Sequence, residues 1–248
     1  MAPGTAVRED RSVRCGIVVF PGSNCDHDVY HVLKHVLGQE AMFLWHDATD
    51  LKDCELIVLP GGFAYGDYLR AGAMAARSRI MSAVARHAER GGLVLGICNG
   101  FQVLLEAGLL PGAMRPNRGL RFLCQDVYLR LERHDLPFTH AYRDVRVARM
   151  PIAHAEGCYV ASDEELDRLE AGGQVVLRYG DAGGGRGDDD PAVNPNGSAR
   201  AIAGIVNRQG NVLGMMPHPE RCAEAVLGNE DGLPLFRGLT EEHGRTAR

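Results

Sequence analysis

Short apolar runs alternate with helix-like segments over the first hundred residues of the chain. Four of these runs are predicted to be buried strands: residues 15–20, 41–45, 56–59 and 93–97. Apolar residues also recur at every third or fourth position, with glycine following, and this predicts helices over residues 24–37, 68–90 and 99–107. Apolar strands that alternate with helices are typical of a parallel sheet covered on both faces. We therefore predict an α/β fold with a doubly wound, mostly parallel sheet that binds ligands beyond the carboxyl ends of its strands.

The second half of the chain has more strand character. Its predicted strands cover residues 122–131, 145–147, 175–179, 201–206 and 212–216. Helices are expected over residues 164–170 and after Pro219. No composition shift marks a boundary between this half and the first, so a single domain is predicted over residues 15–240.

Three segments are expected to lie outside the packed core. Residues 1–14 are predicted to be a disordered extension without the apolar stretch of a secretion signal, and residues 241–248 a tail. Residues 183–190 are rich in glycine and aspartate, cannot bury apolar area, and are expected to form a mobile loop. The Arg-Gly-Asp triplet in this loop is therefore interpreted as incidental.

Composition narrows the class of protein. The 248 residues carry 27 basic and 32 acidic side chains, and this formal charge of −5 argues against a nucleic-acid binder. No apolar run approaches the roughly 18–20 residues that a membrane span needs. The seven cysteines are odd in number and form no C-x-x-C pair, which favours a reducing cytoplasm over a disulfide framework or a zinc site. No phosphate-binding glycine motif is present, so no nucleotide site is predicted on this chain.

The strongest chemical signal is a cysteine between two glycines. The segment Gly96-Ile97-Cys98-Asn99-Gly100 joins a predicted strand to a predicted helix, as in a nucleophile elbow. An ordinary thiol, with a pKa of about 8.5, is only about 3% thiolate at neutral pH. A shift of about two units at a helix N-terminus would make the thiolate the major form, at roughly 2.7 kcal/mol. The alternative is a buried core cysteine beside two glycines needed for packing.

A proton shuttle for this thiol is predicted near the end of the chain. The segment Pro217-His218-Pro219-Glu220 follows an apolar run, and its two prolines prevent a helix through the histidine. In an extended segment, residues two apart project to the same side, so Glu220 can orient His218 as in a catalytic triad. The alternative is a turn that carries an exposed histidine.

A third element, Pro60-Gly61-Gly62-Phe63, follows another predicted strand. Glycine lets a backbone N–H approach a bound substrate closely. One of these N–H groups, together with that of Asn99, could form an oxyanion hole. Two glycines after a strand are otherwise a simple turn.

Other candidates are weaker. Cys25 stands at a predicted helix start and competes with Cys98 as nucleophile, but it lacks flanking glycines. The spacing of His154 and Glu156 favours structural roles, although both could line a pocket. Three histidines at positions i, i+4 and i+8 of the first predicted helix suggest a metal site: His27, His31 and His35. They lie opposite the apolar stripe of this helix, so we expect them to be solvated.

Together these motifs resemble the class I glutamine amidotransferases, which have a flavodoxin-like fold. The resemblance rests on Gly96-Ile97-Cys98-Asn99-Gly100-Phe101-Gln102, Pro60-Gly61-Gly62-Phe63 and Pro217-His218-Pro219-Glu220. Wider matches resemble the glutaminase subunits of phosphoribosylformylglycinamidine synthase: Pro21-Gly22-Ser23-Asn24-Cys25-Asp26, the run from Gly61 to Arg70, and the run from Gly214 to Arg221. The likeness extends from about Cys15 to about Phe236. It implies extra antiparallel strands in the second half.

The resemblance implies a role for each site residue. Cys98 would attack the glutamine carboxamide, with His218 as acid and base and Glu220 as its orienting group. Gly62 and Asn99 would supply the oxyanion N–H groups. The implied contacts to glutamine are Gly61, Phe63, Gln102 and His154.

The resemblance also implies partners. The ammonia would pass to a large PurL-type synthetase subunit that uses ATP and magnesium, with a small PurS-type subunit completing the complex, while this chain carries no cofactor. Ala155 and Cys158 depart from the family pattern, where glycine and asparagine are expected, and put details of the glutamine pocket in question.

Three other classes are weighed against this one. An α/β-hydrolase with a cysteine nucleophile places its acid before the histidine, whereas Glu220 follows His218. The DJ-1/PfpI-like proteins commonly have histidine directly after the cysteine, where this chain has Asn99. A non-catalytic scaffold would not need an intact set of Cys98, His218 and Glu220.

Overall fold

In the computed structural model, residues 12–241 are described. The strands are β1 (Arg14–Val19), β2 (Glu40–Trp45), β3 (Leu56–Leu59), β4 (Leu93–Ile97), β5 (Ala113–Arg115), β6 (Leu123–Leu131), β7 (Val147–His154), β8 (Cys158–Val160), β9 (Val175–Gly180), β10 (Ile202–Val206) and β11 (Val212–Met215). The α-helices are α1 (Asp26–His31), α2 (Ile80–Glu89), α3 (Asn99–Glu106), α4 (Asp163–Ala171) and α5 (Leu233–Glu241). A π-helical turn, Val32–Val36, extends α1.

Nine strands form one sheet in the order β2-β1-β3-β4-β11-β10-β9-β6-β7. The first five strands in this order are parallel, and the remaining four continue the sheet in antiparallel pairs. A separate antiparallel pair joins β5 to β8. This confirms the predicted α/β fold, including the extra antiparallel strands of the second half.

The core lies on the central parallel strands. Every residue of β3, β4 and β11 is buried, as expected for continuous apolar strands covered on both faces. Helix α3 packs directly on this sheet because two of its contacts are made by glycine. A side chain at Gly100 would collide with the carbonyl group of Leu59, and one at Gly214 would collide with the ring of Phe101.

The predicted helix over residues 68–90 is wrong for its first half. Helix α2 begins only at Ile80, and the chain before it forms short 3₁₀ turns, Ala64–Asp67 and Ala75–Arg77. Leu69 and Gly72 have positive φ angles of 74° and 82°, which no α-helix accommodates. Gly72 also packs against the backbone of Gln102, where a Cβ atom would approach to 2.7 Å.

The strand predicted over residues 145–147 lies further along the chain, as β7 (Val147–His154). Its burial alternates regularly, and it contains Pro151. Proline is tolerated in edge strands, and β7 is an edge of the large sheet. The helix predicted after Pro219 is also wrong at that point, because only a 3₁₀ turn, Pro219–Arg221, forms there and α5 begins at Leu233.

The predicted ends of the domain need small changes. Residues 12–14 do not belong to a disordered extension, because Val13 is buried and Arg14 begins β1. At the other end, Glu241 is the last residue of α5. The rest of the predicted extension and tail, residues 1–11 and 242–248, lies outside the described residues.

The glycine-rich segment over residues 183–190 forms turns rather than a helix or a strand. The carboxylate of Asp181 accepts the N–H groups of Gly183 and Gly185, at 2.8 and 2.9 Å. The mobility of this segment and the division into a single domain remain predictions. Within residues 12–241, no helix is both long and apolar enough to cross a membrane.

Candidate active site

Cys98 stands between the last residue of β4 and the first residue of α3, as the elbow motif predicts. Its φ and ψ angles are 50° and −104°, a conformation that costs an L-residue on the order of 1–3 kcal/mol and is held by its surroundings. The flanking glycines are required, because a Cβ atom at Gly96 would lie 2.7 Å from the carbonyl oxygen of Gly100. Cys98 is 4% exposed, and its Sγ lies 3.7 Å from the carbonyl oxygen of Ala153 in β7.

His218 and Glu220 form a buried pair in the turn after β11. Nδ1 of His218 lies 2.6 Å from Oε1 of Glu220, and the two residues are 1% and 2% exposed. The N–H of His218 donates to the carbonyl oxygen of Pro151 at 2.9 Å, which fixes the turn against β7. The predicted pairing of these side chains across two positions is present in the structure.

The electrostatics of His218 follow from its neighbours. Burial opposes the charged form, but Glu220 and then Cys98 raise the pKa of His218 well above its ordinary value. Nε2 is buried and completes no hydrogen bond with any described residue. One ring nitrogen is therefore held by a carboxylate, and the other is free to exchange a proton with a group beside it.

The competing cysteine, Cys25, also contacts the imidazole of His218. Its Sγ is 3.9 Å from Nδ1 of His218, the nitrogen that Glu220 already occupies. The guanidinium group of Arg221 donates to the same sulfur at 2.9 Å. Cys25 is only 1% exposed and directly precedes α1, without flanking glycines. The thiol of Cys25 thus contacts both the imidazole and a guanidinium group, so the choice between the two cysteines as nucleophile stays a prediction.

One group of side chains in the described residues has the spacing of a metal site. The ligand atoms of Cys25, His218 and Glu220 all lie within 4.8 Å of one another. However, the positive charge of Arg221 contacts the sulfur, and Glu220 is bonded to the imidazole. A cation would compete with both interactions, so we interpret the group as an acid–base pair with a neighbouring thiol.

The glycine segment after β3 is hydrogen-bonded to the turn before α1. The carbonyl oxygen of Gly61 accepts the N–H groups of Asn24 and Cys25, at 3.2 and 3.1 Å. Gly62 has a φ angle of +150°, and a Cβ atom there would lie 2.7 Å from the backbone nitrogen of Asn24. Phe63 is 43% exposed at the edge of this segment. The segment thus packs closely against the backbone of the turn before α1, while the approach of its N–H groups to a substrate stays a prediction.

Gly61 has a contact that its sequence does not reveal. A Cβ atom at this position would lie 2.7 Å from Cε1 of His218 and 3.1 Å from Sγ of Cys25. The absence of a side chain at Gly61 is therefore what makes room for the imidazole.

Asn99 and Gln102 are joined in one buried network. Nδ2 of Asn99 donates to Oε1 of Gln102 at 2.9 Å, and Oδ1 of Asn99 accepts the N–H of Ala64 at 3.0 Å. Nε2 of Gln102 donates to the carbonyl oxygen of Glu156 at 2.6 Å. Asn99 is also the first residue of α3, where a helix leaves N–H groups without an internal acceptor. Its backbone N–H therefore remains available beside the nucleophile.

His154 is buried at the end of β7. Nδ1 contacts Oδ1 of Asn117 at 3.0 Å, and Nε2 has no hydrogen-bond partner in the described structure. Burial and, after it, the charge of His218 lower the pKa of His154 to about 4, so this ring is neutral at pH 7. Of the two departures from the family pattern, Ala155 accepts the N–H of Asn117 through its carbonyl oxygen, and the thiol of Cys158 contacts the carbonyl oxygen of Gly197.

The remaining sequence candidates, the three histidines of the first helix, lie on the surface. His27, His31 and His35 are exposed, as predicted for a solvated face. His31 contacts a carboxylate of Glu224 at 2.6 Å, a surface pair.

Sequence reasoning missed Asp67 and Arg221 as neighbours of the site. Asp67 is half-buried, and its Oδ1 accepts from Nδ2 of Asn99 at 3.3 Å. Burial and, after it, the charge of Glu156 raise the pKa of Asp67 to about 6. Asp67 and Arg221 stand inside the quoted sequence motifs, but only the fold brings them into contact with Asn99 and Cys25.

A profile of the CobB/CobQ-like glutamine amidotransferase domain matches residues 12–232. The chain is 55% identical over 228 residues to phosphoribosylformylglycinamidine synthase subunit PurQ of Salinibacter ruber, covering 92% of this chain and 96% of the relative. It is also 55% identical to a PurQ subunit of Thermus thermophilus over 233 residues, covering 94% of this chain and 100% of the relative.

A solved structure, PurLQS from Thermotoga maritima, contains a chain with the same fold. The two align with a TM-score of 0.82 and 45% identity, covering 94% of this chain and 100% of the other. Sequence and fold comparisons therefore agree over nearly the whole length of the chain.

Proposed function

The chain belongs to the PurQ family of phosphoribosylformylglycinamidine synthase subunits, within the CobB/CobQ-like glutamine amidotransferases, and on that premise we propose how its residues carry out the reaction. It is the glutamine amidotransferase subunit of this synthase and acts in purine biosynthesis. Glutamine hydrolysis supplies the ammonia that converts formylglycinamide ribonucleotide to its amidine in an ATP-dependent step.

Cys98 is the nucleophile of the proposed mechanism. Its Sγ bonds to the carboxamide carbon of glutamine while His218 takes the thiol proton. The carbon–nitrogen bond then breaks, and His218 returns the proton to the departing ammonia. Water next attacks the glutamyl thioester and gives a proton to His218, the carbon–sulfur bond breaks, and glutamate leaves as the thiol is restored.

The observation that carries this proposal is the pairing of His218. Its Nδ1 is bonded to Glu220 at 2.6 Å, and its unbonded Nε2 is the nitrogen left to serve Cys98. Glu220 fixes the ring and stabilises the imidazolium that forms when the thiol is deprotonated. The raised pKa of His218 and its interaction with Cys98 support the same assignment.

The oxyanion of each tetrahedral intermediate would be bound by the N–H groups of Gly62 and Asn99. The elbow conformation of Cys98 and the close backbone packing at Gly62 support this role. We assign glutamine contacts to Gly61, Phe63, Gln102 and His154. For Gln102 and His154 these contacts are added to internal hydrogen bonds already present.

The proposed partners are L-glutamine, a large PurL-type synthetase subunit and a small PurS-type subunit, by likeness to the PurLQS structure. ATP and magnesium are assigned to the synthetase subunit, with no cofactor on this chain. We place the complex in the cytoplasm. All seven cysteines lie in the described part of the chain as free thiols, which supports a reducing compartment.

The test uses the complex reconstituted from all three subunits. Glutamine and ammonia are compared as nitrogen donors for amidine formation, and a glutamine-mimicking electrophile is mapped by mass spectrometry. Cys98→Ala is expected to abolish glutamine-dependent amidine formation and labelling while ammonia-dependent formation persists. Cys25→Ala, the matched cysteine control, is expected to keep both glutamine-dependent activity and one adduct on Cys98. An adduct on Cys25 in the wild-type complex would reject the assignment.

A further inference from the structure

The side chain of Asn99, the residue after the proposed nucleophile, bonds to a second loop. Its Oδ1 accepts the N–H of Ala64 at 3.0 Å, and its Nδ2 donates to Oδ1 of Asp67 at 3.3 Å. Asn99 is 2% exposed. One side chain therefore holds both ends of the turn Ala64–Asp67, which directly follows Gly62 and Phe63.

This turn is strained. Within it, Tyr65 and Asp67 have φ angles of 55° and 54°, in the left-handed region that L-residues with side chains seldom adopt. Leu69, two residues beyond the turn, has a φ angle of 74°. Such a conformation persists only where surrounding contacts impose it. Besides Asn99, the turn is held by the hydroxyl of Tyr65, which lies 2.9 Å from Nδ1 of His46.

Asp67 stands at an unfavourable place for a carboxylate. Burial and the charge of Glu156 both oppose its ionised form, and only the hydrogen bond from Asn99 favours it. Among the ion pairs of residues 12–241, none involves Asp67. A carboxylate kept here against these costs needs an explanation beyond stability, because buried polar groups that cost stability often serve a site.

We propose that Asn99 and Asp67 are positioning residues that lock the strained turn to the elbow and so fix the Gly62 N–H relative to the Asn99 N–H. The inference rests on the proposed oxyanion role of these two N–H groups. The Asn99 side chain binds Ala64, two residues beyond Gly62, and its backbone carries the second donor. Asp67 and Gln102 both accept from Nδ2 on the other side of the same amide group, at 3.3 and 2.9 Å, and so keep it turned toward Ala64.

The prediction concerns the transition state rather than substrate binding. Removing one oxyanion donor typically lowers kcat by about 10²–10³-fold, and a displaced donor should cost less, about 10–100-fold. Asn99→Ala and Asp67→Ala are expected to lower glutamine-dependent kcat of the reconstituted complex by this amount, with the KM for glutamine within about threefold. Asp67→Asn keeps an oxygen acceptor for Asn99 and is expected to restore most of the rate.

Two measurements separate positioning from general damage. Iodoacetamide alkylates Cys98 by displacement at a saturated carbon, which forms no oxyanion, so its rate should stay within about threefold in every variant. Ammonia-dependent amidine formation should also be unchanged. The control is Asp53→Asn, the same substitution at an exposed left-handed aspartate with a φ angle of 57°, and it should match wild type.

Two results would overturn the inference: an unchanged kcat in both alanine variants, or a fall in kcat that the alkylation rate follows in parallel. A wild-type complex with no glutamine-dependent activity and no alkylation at Cys98 would instead reject the proposed catalytic assignment itself. The two failures are therefore distinguishable.

Discussion

Replacing Gly61 with alanine adds a single methyl group beside the ring of His218. Gly61 lacks a positive φ angle, so alanine can adopt its backbone conformation. The added Cβ atom would lie 2.7 Å from Cε1 and 3.3 Å from Nδ1 of the imidazole. Ordinary contact begins at 3.4 Å, so the ring must move by the difference from 2.7 Å, about 0.7 Å.

This displacement has a direct kinetic consequence. The imidazole of His218 has little room to move, because it is buried and its Nδ1 is hydrogen-bonded to Glu220 at 2.6 Å. A misplacement of about 1 Å in a catalytic group can cost about 10²-fold in rate. We therefore expect Gly61→Ala to lower glutamine-dependent kcat by about 30–100-fold, or about 2–2.7 kcal/mol of activation free energy.

The assay is steady-state amidine formation by the reconstituted complex, with glutamine and then ammonia as nitrogen donor. Only the glutamine reaction should slow. Gly119→Ala is the matched control, because a Cβ atom there would meet nothing within 4 Å. If Gly61→Ala raises the KM for glutamine and leaves kcat unchanged, then Gly61 contacts substrate and does not determine the position of His218. That result would refute the explanation given above.

Two further substitutions test the electrostatics of the site. Glu220→Gln should remove the charge that raises the pKa of His218, and the imidazole should no longer be held in one tautomer. Glutamine-dependent kcat should therefore fall by about 10³–10⁴-fold. A fall below tenfold, measured in the same assay, would exclude Glu220 as the orienting group. At pH values above 6, Asp67→Asn should raise the thermal unfolding temperature. Burial and the charge of Glu156 raise the pKa of Asp67 to about 6, so the ionised carboxylate of Asp67 destabilises the fold. This advantage should shrink as the pH falls from about 6 toward the ordinary aspartate pKa of 3.8, and it should vanish below 3.8, where the carboxyl is neutral in both states. An advantage independent of pH in a thermal-shift series would contradict the assigned cause.

The parts of the fold that the sequence predicts are those decided by neighbouring residues. The apolar run of β4 ends at Ile97, the helix begins at Asn99, and both bounds are observed as expected. The pair of His218 and Glu220 is equally local, because only two positions separate the residues. However, Glu220 lies in the 3₁₀ turn Pro219–Arg221 and not in the extended segment on which the prediction is based.

The parts that the sequence misses depend on contacts between distant segments. Gly72 turns the chain away from a helix because it packs on the backbone of Gln102, and no pattern near residue 72 records that contact. Cys25 approaches His218 across 193 residues of sequence. Asp67 becomes a neighbour of Asn99 only through the left-handed turn, which hydrophobic periodicity cannot indicate.

The meeting of distant residues at one site follows from strand order and register. Strands β3, β4 and β11 are adjacent and parallel, with Leu59 opposite Gly96 and Ile97 opposite Met215. The three strands therefore end at nearly the same height, and the chain after each one emerges at the same edge of the sheet. Because β4 lies in the middle, its cysteine has the glycine segment after β3 on one side and the histidine turn after β11 on the other.

This arrangement explains why β11 must be parallel to β4. Strand β11 directly follows β10, which is its antiparallel neighbour in the sheet. The chain therefore passes through the antiparallel strands before it enters β11 and reaches His218. A slip of β11 by one residue would turn every side chain of the strand to the opposite face and would move the histidine turn along the edge by about 3.3 Å. Such a shift exceeds the reach of a hydrogen bond. Burial on both faces does not by itself fix this register, but side-chain size does, because Gly214 of β11 faces the ring of Phe101, with which any larger side chain would collide. This register places the turn that carries His218 beside the end of β4.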